Sequence, residues 1–396
     1  LIKAYIENSQ VTTTSGSLSL SSVSNSIIKS ISAGGAGADK CAIGGAVSVN
    51  NIVNEIEAYI INCPAGITAK NDITLDAADN SAVSVIAGSV AGAGTAAIAG
   101  AAATVEIGYY DPIDKTITYS KTRTYIENSQ VTSQTGAVKL TSTSNSVIFN
   151  IAAGAGVAGT FGGQGSVSLN WIYNELTARI IDATVTATGD ISVKAITVKR
   201  TTIPKGATQP DSDSTEITAF DGDPNDKDSD GEGGQPTTHD ISSIQALAGS
   251  VAGGGTAGVG LVVATNKIAN LITAGISGST ITSSGGNVNL IAVSDASIEA
   301  ISAALAGAGT FAGAGSVSLN EISNQTSSYI INSTVSADNS SNALVDDHLP
   351  GVYLSAIDTS IIRSLSGGVG IGGSAGLGGA AAYNEIANSV KAYIEG

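Results

Sequence analysis

Three aspartates on alternate positions, Asp226, Asp228 and Asp230, run into Gly231 and Glu232. Alternating carboxylates ahead of a glycine converge on one hard cation, because the glycine permits the sharp bend that brings their oxygens together. The pattern is that of the Asp-x-Asp-x-Asp-Gly opening of calcium loops, and it makes Asp226, Asp228, Asp230 and Glu232 candidate calcium ligands. The twelfth position is Thr237, where an EF-hand carries a bidentate glutamate, so Asp240, Asp221, Asp223 or Asn225 would have to complete the shell. The competing reading is a solvated acidic loop. Residues 211–240 hold ten acidic residues against one lysine, a net −9, which leaves −7 for the other 366 residues. Carboxylates this close repel one another strongly unless a cation joins them. The only histidines, His239 and His348, have no partnering cysteine or second histidine nearby in sequence and read as loop residues.

Other chemistry has less to work with. A polysaccharide-active enzyme would need clustered carboxylates and a basic residue at a groove, and Arg123, Arg179, Arg200 and Arg363 are spread too widely in sequence to suggest one. An ice-binding face would show an unbroken Thr-x-Thr ladder; Thr184 and Thr186, with Thr280 and Thr282, hint at one, but Gln10 and Gln130 interrupt it. Cys41 and Cys63 permit at most one bridge, and Cys63 replaces the serine found at Ser9 and Ser129, so a small buried thiol is the simpler reading. A net charge of −16 and the absence of a basic stripe exclude nucleic acid as a partner. The uncharged run from Ser81 to Val105 is Gly/Ala-rich and alternating, which gives weak lipid transfer energy and no membrane span in this segment.

The elements that position these residues follow from composition and repetition. With 49 glycines, no methionine, one tryptophan and 4% aromatics, the 396 residues cannot build a conventional large-side-chain core. Alanine, glycine, serine, threonine, valine, isoleucine and asparagine suit thin, closely packed β-structure. YIENSQVT occurs at both Tyr5 and Tyr125, Tyr-Ile returns at Tyr59, Tyr329 and Tyr393, after alanine at Tyr59 and Tyr393 and after Ser328 at Tyr329, and degenerate copies surround Arg179 and Gly275. The spacings are 54, 66, 54, 96, 54 and 64. They describe a 54-residue unit repeated six times, with 12, 42 and 10 extra residues in every second copy, inserted at about 109–122, 200–241 and 338–350. The first insert reads as a polar hairpin and the last as a surface loop.

Within a unit the period is 2, as in SLSLSSVS from Ser17 and VKLTSTS from Val138, so strands of roughly five to ten residues are expected. The Gly/Ala tract, such as AGAGTFAGAG from Ala306, alternates too and reads as a flat small-residue strand pair. Apolar phase shifts by one residue near Asn8-Ser9 and near the Asn-x-Ile-x-Asn motif, where the chain is expected to turn corners. That motif supplies Asn50 and Asn54, Asn170 and Asn174, Asn266 and Asn270, Asn320 and Asn324, and Asn384 and Asn388. Asparagine tolerates left-handed backbone and can stack its amide on the copy above, so these ten form a candidate structural ladder; only the second unit lacks it. The expected fold is all-β, a β-solenoid running continuously through residues 1–396. One wide turn per unit stacks like upon like, whereas two short turns would mismatch thin and thick layers; the wide turn predicts a rise of about 4.8 Å per unit.

A Gly/Ala tract followed by GSVSLN, Asn-x-Ile-x-Asn and AYI-x-x-S-x-V resembles the repeats of large secreted adhesins of the filamentous-haemagglutinin type, including leukotoxin-like filamentous adhesins. The resemblance covers essentially the whole chain outside the inserts. It implies secretion, a long β-helical stalk at a bacterial cell surface, cell adhesion and no catalytic residues. The expectation is therefore a non-enzymatic segment of an extracellular filament whose partners are neighbouring repeats or subunits, surface glycans or other cells. The alternatives are a polysaccharide-active enzyme on a β-helix and a self-polymerising filament subunit. No signal peptide or initiator methionine is visible, and Lys3-Ala4-Tyr5-Ile6 and Lys391-Ala392-Tyr393-Ile394 sit uncapped in the same phase, as expected of a piece of a longer array.

Overall fold

A computed structural model describes residues 1–197, 243–338 and 351–396. Within them the chain is all-β and its large sheets are parallel. One circuit shows the plan. Glu55–Ile61 forms a first wall, the short strand Ile67–Ala69 a second, and Ile73–Asp79 a third; the long strands Ala82–Ala93 and Ala96–Ile107 form the fourth and fifth. The chain then returns to the first wall.

The register shows how circuits stack. In the first wall Tyr5 pairs with Tyr59, Tyr59 with Tyr125, Tyr125 with Arg179, Arg179 with Gly275, Gly275 with Tyr329 and Tyr329 with Tyr393. These are the sequence anchors themselves, so the chain travels once round all five walls between anchors, a single wide turn with successive circuits about 4.8 Å apart. The register of the walls is the same on either side of the extra residues. The insert after the second circuit is a hairpin, Tyr109–Asp111 antiparallel to Thr116–Thr118, with Asp111 Oδ1 accepting the Ile113 amide at 2.8 Å in its turn.

The five walls enclose two unlike interiors. The first three surround a thick lobe filled by Ile56, Ile60, Ile67, Leu75, Leu140 and Ile180, all without solvent exposure. The fourth and fifth walls face each other as a thin blade lined by residues such as Ala97, Ala99, Ala248 and Ala304. The blade depends on missing side chains. A Cβ on Gly34 would stand 1.9 Å from the carbonyl oxygen of Gly45 on the opposite wall, and one on Gly162 1.9 Å from that of Gly253. The Gly/Ala tract is thus a pair of strands in backbone-to-backbone proximity, and glycine is required where the walls approach most closely. Between lobe and blade lies a seam of Val85, Val105, Ile148 and Ile172.

The corners differ from expectation in one respect. Asn8, Asn62, Asn128 and Asn332 have φ between 48° and 54°, the left-handed conformation anticipated at the Asn8-Ser9 corner, and Asp182 (47°) and Gly278 (60°) serve the same corner in other circuits. The inward phase changes there: Ile60 and Ile67 are both fully buried although seven residues apart. Across the Asn-x-Ile-x-Asn corner it does not, since Ile52 and Ile56 both face the interior. No residue is inserted, because Asn54 occupies the corner and turns its amide inward. Strand length also departs from the expected five to ten residues: separate blade strands have 11 or 12, and Val288–Ala308 and Val352–Gly372 run 21 residues, joining the third and fourth walls without a break.

Candidate functional site

The candidate calcium ligands Asp226, Asp228, Asp230 and Glu232, their possible supplements and both histidines lie outside the described residues. Among the described residues there is no group of three or more His, Cys, Asp or Glu side chains arranged to hold a metal ion. What the described residues do bring together are columns of like side chains running along the solenoid axis.

The first asparagine of each motif points inward from the fifth wall. Asn170 Nδ2 donates to Asn266 Oδ1 at 2.8 Å, Asn266 Nδ2 to Asn320 Oδ1 at 2.7 Å, and Asn320 Nδ2 to Asn384 Oδ1 at 2.8 Å. Asn266 and Asn320 are each held twice in this chain of bonds, which suits a buried polar column. Asn50 stands apart: its neighbour in the next circuit is Val105, and its amide donates to Ser48 Oγ at 2.9 Å instead.

The second asparagines occupy the corner. The Asn270 amide donates to Asn324 Oδ1 at 3.0 Å and the Asn324 amide to Asn388 Oδ1 at 2.8 Å, so side chains of one circuit satisfy the backbone of the one before. Asn54 finds Ser120 Oγ in that role, at 3.2 Å. Asn174, 3% exposed, accepts from Ser146 Oγ at 3.3 Å in the same corner. Around these asparagines the corner collects hydroxyls and one buried carboxylate. Asp79, 1% exposed, accepts from Asn54 Nδ2 at 3.0 Å, Ser81 Oγ at 2.7 Å and Ser120 Oγ at 3.1 Å. Burial raises its pKa, and the three hydrogen bonds only partly oppose the rise.

A column that sequence reading passed over lies one residue beyond the left-handed corner. Ser9, Ser129, Ser279 and Ser333 each donate to the carbonyl two residues back at 2.7 Å. Where the next circuit permits, the same oxygen accepts an amide, as Ser129 Oγ does from Cys63 at 3.0 Å. Cys63 is buried in this column with Sγ 3.2 Å from the Ile61 carbonyl, while Cys41 is exposed; both thiols are free. The Asn-Ser pair at residues 8–9, 128–129 and 332–333 was the available signal.

The outer face of the first wall brings together charges that lie far apart in sequence. Arg123 lies between Glu57 (3.7 Å) and Glu175 (2.8 Å), and Lys3 binds Glu57 at 2.8 Å. Register, not sequence proximity, assembles this rung: Lys3 pairs with Glu57 and Glu57 with Arg123. Glu57 raises the pKa of Lys3 through its hydrogen bond. Beside the charges, Tyr5, Tyr59 and Tyr125 stack with centroids 5.1 and 4.7 Å apart and planes within 14°. In this stack both faces of the Tyr59 ring are covered by a neighbouring tyrosine. Burial pushes the Tyr125 hydroxyl well above its ordinary pKa.

Among the described residues no helix is long and apolar enough to cross a membrane. No protein-family profile, no curated protein and no solved structure matches this chain.

Proposed function

We propose that this chain is a load-bearing segment of an extracellular fibre or adhesin at a bacterial surface, built of six 54-residue repeats and working by reach and display, not by catalysis. The observation that carries the reading is the in-register stacking of every wall. Backbone hydrogen bonds, asparagine amides, serine hydroxyls and tyrosine rings all connect one circuit to the next along a single axis. Such a body resists extension because separating two circuits breaks every column at once. The inserted segments are the natural places for contact with glycans or other cells, since loops on a rigid scaffold carry binding residues. Electron cryo-imaging of the native secreted material tests this: filaments with an axial spacing of about 4.8 Å per circuit are expected, whereas discrete particles that turn over a glycan would overturn it.

Calcium belongs to the same proposal and rests on sequence alone. Asp226, Asp228, Asp230 and Glu232 would bind it in an inserted segment, relieving their mutual repulsion. Calcium should raise the melting temperature of the parent chain, and Asp226→Ala with Asp228→Ala should abolish that rise. A parent indifferent to calcium removes the site.

A further inference from the structure

The outer face of the fourth wall is built unlike the surface of a solitary protein. Its strands Ile27–Ala38, Ala82–Ala93, Val147–Ala158 and Ile244–Gly254, continued by the second halves of Val288–Ala308 and Val352–Gly372, stack in register. One outward column reads Ile31, Ile86, Ile151, Leu247, Ile301 and Leu365. The next outward column is alanine or glycine throughout, from Ala33 to Gly367. The third is mostly larger, with Val90, Val251, Leu305 and Val369, and the fourth mostly glycine. No charged or hydrogen-bonding side chain interrupts these four columns. Every large residue on them is at least partly exposed, Ile31 at 80%, Val90 at 60% and Val369 at 52%.

Ridge, valley, ridge, valley is a surface that fits a rotated copy of itself. A two-fold axis parallel to the solenoid axis reverses the order of the columns while keeping circuits level. The first ridge of one copy then enters the fourth column of the other, and the third column enters the second. Ile86 meets Gly92, Leu247 meets Gly253 and Ile301 meets Gly307 in this arrangement; Val157 and Ile371 are the two positions where a larger residue replaces the glycine. Six strands about 4.8 Å apart and four outward positions about 6.8 Å apart give roughly 780 Å² per face, or about 1,570 Å² per pair, within the range of specific stable interfaces. A face this size without a charge is large for a monomer surface. The net charge of −16 sits elsewhere, so like-charged copies do not repel across it.

We infer that the fourth wall is a lateral docking surface for a second copy of this chain, the two solenoids lying side by side with axes parallel and circuits level. The pairing is independent of what the fibre attaches to, and each added circuit extends the same contact.

Sedimentation of the full 396-residue chain should show a dimer at micromolar concentration. Leu247→Lys with Ile301→Lys should weaken it by at least about 100-fold without changing the circular dichroism spectrum. Val263→Lys with Leu319→Lys, on the opposite face of the blade, should leave it intact. A monomeric parent at high concentration, or a dimer broken by the opposite-face pair and not by the first, overturns the inference. So does a chain that stays monomeric and partitions instead onto vesicles of zwitterionic lipid. The geometry is tested in a Cys41→Ser background by mixing Ile301→Cys chains with Gly307→Cys chains. Gly307 has open space at its Cβ position, so the substitution is accommodated. A disulfide-linked dimer in the mixture, and in neither chain alone, is expected; its absence contradicts the parallel arrangement.

Discussion

The thick lobe and the blade belong to the same circuits and share every strand-to-strand spacing, yet they are filled by opposite means. In the lobe, Ile60, Leu75, Leu140 and Ile180 bury large side chains between walls set well apart. In the blade, walls approach until a carbonyl lies where a Cβ would be. Lobe stability is then a matter of apolar volume, which erodes gradually when atoms are removed. Blade stability is a matter of backbone proximity, which fails abruptly when atoms are added. A solenoid that stacks like upon like can hold both regimes in one cross-section, because each layer meets only its own kind.

The largest effect should come from adding to the blade. Gly162→Val places side-chain atoms against the Gly253 carbonyl and should cost more than about 4 kcal/mol, seen as loss of the cooperative melt or of soluble protein. Subtracting from the lobe should cost less: Leu140→Ala leaves a cavity worth about 2–5 kcal/mol, read from denaturant midpoints, with the fold retained. If Gly162→Val proved milder than Leu140→Ala, the contrast between the two interiors would fail.

The seam sharpens the comparison with polar groups. Asn266 sits inside a continuous amide column, so Asn266→Val strands the Asn170 donor and the Asn320 acceptor and should cost about 2 kcal/mol. Asn50 already faces Val105, and Asn50→Val should cost under about 1 kcal/mol. Equal costs, measured by chemical denaturation, would mean that the column contributes no more than its separate bonds.

The smallest effect is electrostatic. Burial raises the folded pKa of Asp79 above its ordinary 3.8, so the folded chain holds this proton more tightly than the unfolded one. The resulting stability is fully present below 3.8 and is lost as pH rises through the folded value. Serine stands at this position in the neighbouring circuits, at Ser24 and Ser144. Asp79→Ser should therefore flatten that segment of the pH–stability curve, the parent gaining relative to the variant as pH falls from neutral toward 4. A difference between the two that did not change with pH would show that the carboxylate is not desolvated.

Much of this was legible in the sequence because the solenoid writes its own register into its repeats. The anchors from Tyr5 to Tyr393 are direct partners in the first wall, and Asn8 and its counterparts adopt the left-handed conformation that their residue type permits. The wide circuit followed from matching thin layers with thin. What escaped were features set between circuits or by a single substitution. Arg123 reaches Glu57 and Glu175 only through stacking, 66 and 52 residues away in sequence. The corner at Asn54 keeps its phase because the side chain fills the bend, which alternation alone does not reveal. The fusion of two walls in Val288–Ala308 reflects Ser294, Asp295 and Ala296 continuing as strand where Asn80 breaks the second circuit. The calcium motif falls outside the described residues and stands as sequence evidence only.

The wide circuit is the claim on which all else depends, and a single engineered disulfide tests it. Thr132 and Thr186 are direct partners in the second wall and both are partly exposed. With Cys41 and Cys63 changed to serine, Thr132→Cys with Thr186→Cys should oxidise readily to one intramolecular bridge, because adjacent strands about 4.8 Å apart fall within disulfide reach. The melting temperature should hold or rise, and the intact mass should fall by two hydrogens. Two short turns per unit would set these residues two layers, about 9.6 Å, apart; failure of the bridge to form in the folded protein would contradict the single wide turn.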